Sequence, residues 1–211
     1  MRQIAVIDYG SGNLHSVIHA VKAAAEKQDE VRLVTTGAEL RDADAVILPG
    51  VGHFVDCRQN LAKAPEMVDA LTDCVIHKSR PFLGICVGMQ MLADTGYEGE
   101  AVAGLGWISG TVGKLSDNDN SLKIPHMGWN SLSYQHHHPV CSGLSDNSHV
   151  YFVHSYHFTA SHADTVIAST DYGQKVTAII AKDNIIGTQF HPEKSQSEGL
   201  AFLSGFLKWR P

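Results

Sequence analysis

Short apolar runs alternate with helical patterns in the first half of the chain. The apolar runs predict strands at 4–7, 31–34, 45–48 and 82–85. Apolar residues at helical spacing predict helices over about 14–26 and 65–78. Short buried strands alternating with helices indicate βαβ units and a parallel sheet with helices on both faces.

The pattern changes near Gly104, where strand-like segments follow one another without helices between them. These segments are 107–112, 129–134, 150–153, 166–169, 176–181 and 185–190. Turn residues at 117–120 and 183–184 separate some of them, and helical spacing returns over 198–209. The pattern therefore predicts an α/β fold with a central, mostly parallel sheet and additional antiparallel strands in the second half. We expect one domain over 1–211.

Composition and charge narrow the class of protein. The chain has 211 residues, 44% of them hydrophobic and 18% charged, which is typical of a globular protein. A net charge of −6 without a Lys/Arg run argues against nucleic-acid and membrane-surface binding. The first apolar run is too short for a signal-peptide core, and no apolar stretch is long enough to cross a bilayer. We expect a cytoplasmic protein.

Neither the cysteines nor the histidines form an obvious metal motif. Cys57, Cys74, Cys86 and Cys141 lack CxxC spacing, so we expect reduced thiols. The run His136–His138 has no matched carboxylate or cysteine set, and we expect a solvated loop there. The sequence therefore predicts no metal site.

Cys86 lies at the junction between an apolar strand and a helical segment, with Gly84 and Gly88 beside it. Such a turn can present a nucleophile above a parallel sheet. Unpaired N–H groups at the start of the helix would raise the thiolate fraction. Taken alone, the pattern also fits a buried structural cysteine.

The tripeptide His191-Pro-Glu193 follows the last predicted strand. A histidine at this strand end can serve as general base, and a carboxylate two residues later can orient its ring. Taken alone, it fits a loop. In combination with Cys86 it predicts a catalytic triad.

The segments GICVGMQ at 84–90 and FHPEKS at 190–195 resemble the class I (triad) glutamine amidotransferases. This resemblance implies a flavodoxin-like sheet, with Cys86 as nucleophile, His191 as base and acid, and Glu193 as orienter. Four further segments resemble the glutaminase (HisH) subunits of imidazole glycerol phosphate synthase. They lie at 7–14, 49–52, 123–130 and 151–156, so the resemblance covers nearly the whole chain.

The resemblance also implies the remaining parts of a glutaminase site. The oxyanion and glutamine-binding positions would be Gly50, Val51, Gly52, Val87, Gln90, Ser155 and Tyr156. The Val87 N–H is also expected from the sequence itself, because it follows the nucleophile. No cofactor is implied. His53 stands where the family pattern leads us to expect a small residue.

No second large domain is present to use the ammonia, so the resemblance implies a separate cyclase subunit (HisF), a (β/α)₈ barrel docked over the site. The interface candidates are Pro125, Met127, Trp129, Asn130, Tyr151 and Lys194. Three alternatives remain. They are an amidotransferase or γ-glutamyl hydrolase of another pathway, a flavodoxin-like module binding a phosphate or cofactor at 10–13, and a catalytically silent interaction subunit.

Overall fold

The computed structural model describes residues 1–11, 13–116 and 122–211. Gly12 and the turn predicted at 117–120 lie outside the described residues. The strands are β1 Gln3–Ile7, β2 Glu30–Val34, β3 Ala45–Gly50, β4 Phe82–Cys86, β5 Thr95–Glu98, β6 Glu100–Ala103, β7 Gly110–Lys114, β8 His126–Ser131, β9 Ser133–Tyr134, β10 His149–His154, β11 Tyr156–Ala160, β12 Val166–Asp171, β13 Lys175–Lys182 and β14 Ile185–Thr188. The α-helices are α1 Leu14–Ala24, α2 Gly37–Leu40, α3 Phe54–Lys63, α4 Met67–Thr72, α5 Val87–Gln90 and α6 Gln196–Lys208.

The largest sheet has eight strands in the order β2-β1-β3-β4-β14-β13-β12-β9. Its first five strands are parallel and its last three pair antiparallel. β3 and β4 are entirely buried, as expected for central parallel strands between helices. This mixed sheet confirms the predicted fold class.

The register of the central strands brings three loops to one edge of the sheet. Gly50 at the end of β3 lies beside Cys86 at the end of β4. On the other side of β4, Thr188 at the end of β14 lies beside Ile85. Residues that follow β3, β4 and β14 therefore meet at this edge, although they are far apart in sequence.

Two smaller sheets complete the second half. β8 and β10 form an antiparallel pair, and β11-β7-β5-β6 form a four-stranded sheet in which β5 and β7 are parallel. The strand predicted at 129–134 is divided between β8 and β9, which belong to different sheets.

Two predictions of secondary structure differ from the structure, and one helix was missed. The helix predicted over 65–78 is the short α4, followed by a π-helical turn at Asp73–His77. The strand predicted at 107–112 begins only at Gly110, because the Trp107 ring instead packs edge-on against Phe82. Helix α3 was not predicted.

The β5–β6 hairpin was also not predicted, since most of its residues are exposed and show no apolar alternation. None of the described helices is long and apolar enough to cross a membrane. That residues 1–211 form one domain stays a prediction.

Candidate active site

Cys86 occupies a strained turn at the end of β4. Its backbone has φ +54° and ψ −108°, a conformation that residues with side chains rarely adopt. Helix α5 begins at the next residue but contains only four residues. The helix dipole expected from the sequence is therefore limited to one turn, and specific side chains have to provide most of the stabilisation of a thiolate.

Glycines on both sides of Cys86 allow the turn to pack closely against β3. A Cβ atom at Gly88 would lie 1.8 Å from the carbonyl oxygen of Leu48, and one at Gly84 would lie 2.6 Å from the carbonyl oxygen of Gly88. No side chain fits at either distance. The spacing of Gly84, Cys86 and Gly88 is thus explained by the close contact between the turn and its neighbouring strand.

His191 and Glu193 lie in the loop that follows β14. The Nδ1 atom of His191 lies 2.8 Å from Oε1 of Glu193, and both side chains are 2% exposed. Because a carboxylate can only accept, Nδ1 carries a proton in both protonation states of the ring, and Nε2 is the nitrogen that gains or loses the second proton. Within the described residues, the buried Nε2 has no hydrogen-bond partner.

Charge interactions favour the protonated form of His191. Burial alone would lower the pKa of His191, but its interactions with Cys86 and Glu193 outweigh burial and raise that pKa above the ordinary value of 6.5. Glu193 orients the ring and Cys86 supplies the negative partner. The arrangement therefore supports a thiolate–imidazolium pair, which is the activated form of a cysteine nucleophile.

The backbone after β3 lies next to Cys86. Val51, Gly52 and Val87 line the same cavity as Cys86, and Gly52 has φ +100°. The carbonyl oxygen of Val51 accepts hydrogen bonds from Ser11 Oγ at 2.8 Å and Cys57 Sγ at 3.4 Å. These contacts hold the backbone of this turn from the side of α1 and α3.

Cys86 and His191 share a cavity of about 400 Å³ with three of the predicted glutamine-binding residues. These three are Gln90, Ser155 and Tyr156. Three other lining residues, Glu98, Val153 and His154, were given no role from the sequence, and Asn13 was considered only within the alternative phosphate-binding segment at 10–13. A cavity of this size, with a few polar groups around a nucleophile, suits a small polar substrate.

Comparison with known proteins identifies the family. The model of class I glutamine amidotransferases matches residues 5–208. This chain belongs to that family. The match spans all of the elements that form the cavity, including β4, β11 and the loop after β14.

Curated relatives of this amidotransferase match it over nearly its full length. A protein named imidazole glycerol phosphate synthase subunit HisH from Brucella melitensis is 49% identical over 215 residues, covering 99% of this chain and 100% of that protein. Proteins of the same name from Bradyrhizobium diazoefficiens and Rhodospirillum rubrum are 51% and 50% identical, each covering 99% of this chain and at least 99% of the relative.

Solved structures share the fold at much lower identity. One, described as a glutamine amidotransferase, has a TM-score of 0.74 at 18% identity and covers 97% of each chain. A structure of PurLQS from Thermotoga maritima has a TM-score of 0.71 at 16% identity and covers 98% of this chain and 97% of that one. At these identities the likeness shows the class I amidotransferase fold alone.

The predicted interface residues of the amidotransferase lie on β8 and β10 and at the edge of the cavity. Met127 and Trp129 on β8 are 61% and 46% exposed. Trp129 contacts Tyr151 edge-on at 6.0 Å, and Lys194 lies over the Tyr151 ring. Pro125 and Lys194 also line the cavity.

Asn130 differs from the other predicted interface residues because its amide is used within the chain. Its Nδ2 donates to the carbonyl oxygen of Asp171 at 2.8 Å and lies 3.3 Å from His126 Nε2. Its Oδ1 accepts from the backbone N–H of Ser131 at 2.8 Å. These bonds position β8 from inside the protein.

A buried histidine pair connects β8 with the cavity. His154 Nδ1 donates to the carbonyl oxygen of Tyr156 at 2.9 Å, so its Nε2 must accept, and it accepts from His126 Nδ1 at 3.0 Å. Burial lowers the pKa of His126 to about 4 and that of His154 to about 3. Both rings are therefore neutral at physiological pH. Both lie inside segments that were recognised from the sequence, but a pair of this kind is not visible in the spacing.

Two questions about histidines left open by the sequence have structural answers. His53 caps helix α3, because its Nδ1 accepts a hydrogen bond from the backbone N–H of Val55. His138 accepts in the same way from Val140, and its ring packs against Trp209. Within the described part of the chain, His, Cys, Asp and Glu side chains form no group of three or more that could hold a metal ion.

Proposed function

We propose that this amidotransferase is the glutaminase subunit of imidazole glycerol phosphate synthase. It hydrolyses glutamine to glutamate and passes the ammonia to a separate cyclase subunit, HisF, which forms imidazole glycerol phosphate in histidine biosynthesis. Full-length identity near 50% to proteins named HisH supports the pathway. The observation that carries the chemistry is the buried His191, held by Glu193 beside Cys86 in one cavity.

The reaction begins with attack of the Cys86 thiolate on the side-chain carboxamide of glutamine. His191 in its protonated form then gives its proton to the departing ammonia, leaving a glutamyl thioester on Cys86. The neutral His191 next takes a proton from water, which attacks the thioester and releases glutamate and the thiolate. Glu193 orients the ring in both steps.

Backbone N–H groups would stabilise the negative charge that develops on the carboxamide oxygen. Val87 is the first residue of α5, so its N–H has no acceptor within the helix. The turn Gly50–Val51–Gly52 supplies the second donor in our proposal. Its position beside Cys86 at the end of β3 supports this role. Donors aimed at a developing oxyanion commonly contribute 10²–10³-fold in rate.

Glutamine carries an ammonium and a carboxylate that the cavity has to match. We assign the glutamine-binding role to Gln90, Ser155 and Tyr156, and add Glu98 as the partner of the substrate ammonium. The Glu98 carboxylate lines the cavity and is fixed by a 2.6 Å hydrogen bond from the backbone N–H of Phe54. A carboxylate held in this way can pair with an ammonium through charge-assisted hydrogen bonds, which are stronger than neutral ones.

The partner would dock on the surface formed by Met127, Trp129, Tyr151 and Lys194, with Pro125 at the edge of the cavity. Two of these side chains are large, apolar and exposed beside the active site, as expected for an anchor of a protein interface. A cyclase that covers this surface would receive ammonia directly, before water protonates it. We place the complex in the cytoplasm, in keeping with four unpaired cysteines.

The test uses the complex of this chain with the cyclase subunit of the same organism. Cys86→Ala should abolish synthesis with glutamine as nitrogen donor, while synthesis with added ammonium salt continues at the wild-type rate. The isolated chain should hydrolyse glutamine poorly and become active when the cyclase and its nucleotide substrate are present. Loss of both glutamine- and ammonia-dependent synthesis in the variant, or high activity of the isolated chain, would contradict the proposal.

A further inference from the structure

Gln189 is a buried polar residue beside the nucleophile that the sequence left without a role. It lies between β14 and His191, is 0% exposed, and its Nε2 atom is 3.5 Å from Sγ of Cys86. The two residues are 103 positions apart in sequence and meet because β14 and β4 are neighbours.

The surrounding hydrogen bonds fix which end of the Gln189 amide faces the sulfur. Gln90 Nε2 donates to the carbonyl oxygen of Tyr156 at 2.9 Å, an atom that can only accept. The same NH₂ group donates its second hydrogen to Gln189 Oε1 at 3.1 Å. The oxygen of Gln189 is thereby committed to Gln90, and its NH₂ group must face Cys86.

The ionisable side chains that interact electrostatically with the Cys86 sulfur include two neutral groups and one group that carries positive charge. Burial raises the pKa of both Tyr9 and Cys57, so both are neutral at physiological pH. His191 contributes positive charge. Gln189 adds a neutral donor, because its Nε2 group donates a hydrogen bond to Cys86 Sγ at 3.5 Å. A hydrogen bond donated to the charged form of a group stabilises that form.

We propose that Gln189 is a positioning residue for the glutaminase reaction: its N–H stabilises the Cys86 thiolate and directs it, while its carbonyl oxygen holds Gln90 at the substrate. The chain Tyr156–Gln90–Gln189–Cys86 joins the floor of the glutamine site to the nucleophile. The catalytic part of this inference rests on the proposed function, whereas the effect of Gln189 on the Cys86 thiol does not require glutamine.

The experiment measures alkylation of Cys86 by iodoacetamide in the full chain between pH 5.5 and 9, quantified by mass spectrometry of the Cys86 peptide. Gln189→Met keeps the size of the side chain and removes the donor. Gln189→Asn keeps an amide in the core but is one methylene too short to reach the sulfur. Gln59→Met, at an exposed position of α3, is the matched control. Rates are normalised to the folded fraction of each variant.

We expect both Gln189 variants to alkylate about tenfold more slowly at pH 7 and to move the pH profile to higher pH, since hydrogen bonds to charged groups are among the stronger ones. The control should match the wild type. In the complex with the cyclase, glutamine turnover should fall in kcat, while ammonia-dependent synthesis is unchanged.

A wild-type pH profile of alkylation in folded Gln189→Met or Gln189→Asn would overturn the inference and leave Gln189 a packing residue. If the wild-type complex does not hydrolyse glutamine although the alkylation profile shifts, the proposed function fails and the role of Gln189 at the thiol stands.

Discussion

The buried pair His126 and His154 should make the protein unusually sensitive to mild acid. In each ring, Nε2 now accepts a hydrogen bond: that of His154 from His126 Nδ1, and that of His126 from Asn130 Nδ2. Protonation would place a new N–H against the donor, in addition to the cost of burying a charge. In the folded protein both rings stay neutral down to about pH 4 and pH 3 respectively. In the unfolded chain they take up protons near pH 6.5.

The sign and size of the effect follow from this difference. Because the folded-state pKa values are depressed, stability is complete above pH 6.5 and is lost as the pH falls from 6.5 toward 4 and 3, while the unfolded state binds the protons. At pH 5.0 each histidine lies about 1.5 units below its unfolded pKa, which corresponds to about 2 kcal/mol per ring at 1.36 kcal/mol per unit. The pair therefore removes about 4 kcal/mol, a large part of a typical total of 5–15 kcal/mol.

The assay is urea unfolding followed by tryptophan fluorescence at pH 7.5 and pH 5.0. The perturbations are His126→Gln and His154→Gln, and the control is His137→Gln, which replaces an exposed ring. Each buried variant should be less stable at pH 7.5, yet lose about 2 kcal/mol less than the wild type between the two pH values. The control should lose as much as the wild type. Equal losses in the wild type and both buried variants would mean that the rings are protonated in the folded state, which would refute the neutral pair.

Two further predictions concern the turn at Cys86 and the substrate ammonium. Gly88→Ala should destabilise the protein by about 3 kcal/mol or more in urea unfolding, because its Cβ would overlap the carbonyl of Leu48. Gly113→Ala, where the new Cβ meets nothing within 4 Å, should be within about 0.5 kcal/mol of the wild type, and similar losses in both would contradict the packing argument. Glu98→Gln, which still accepts from Phe54, should raise the KM for glutamine about tenfold or more in the complex while kcat changes little; an unchanged KM would remove Glu98 from the substrate site.

The sequence was most informative where local pattern and tertiary structure agree. Strands β1, β3 and β4 are buried on both faces, so their apolar runs stand out, and they were predicted to within one or two residues. The β5–β6 hairpin lies largely at the surface and offers no such run. Trp107 shows the opposite error, in which an apolar residue is taken for part of a strand. Its ring packs against the core at Phe82, but the strand begins only at Gly110.

Some residues of the site can be recognised from a local sequence pattern, whereas others are identified only by their contacts in the folded protein. Cys86 stands between Gly84 and Gly88, where a Cβ atom would overlap a backbone carbonyl, so the glycine spacing is visible in the sequence. His191 and Glu193 are two residues apart on one short loop. Gln189 and His154 act through partners 103 and 28 positions away. Their roles depend on strand order and register, which no local pattern contains.

The loop after β14 explains why one strand can serve both the core and the chemistry. The Phe190 ring packs against Phe152 and Phe202, with centroids 6.0 and 5.6 Å away. The residues on either side of it, Gln189 and His191, both interact with Cys86. Phe190 thus anchors the loop in the hydrophobic core while its two neighbours face the nucleophile. A substitution that loosens this ring should therefore disturb the hydrogen-bond donor and the base together, so catalysis at this site depends directly on core packing.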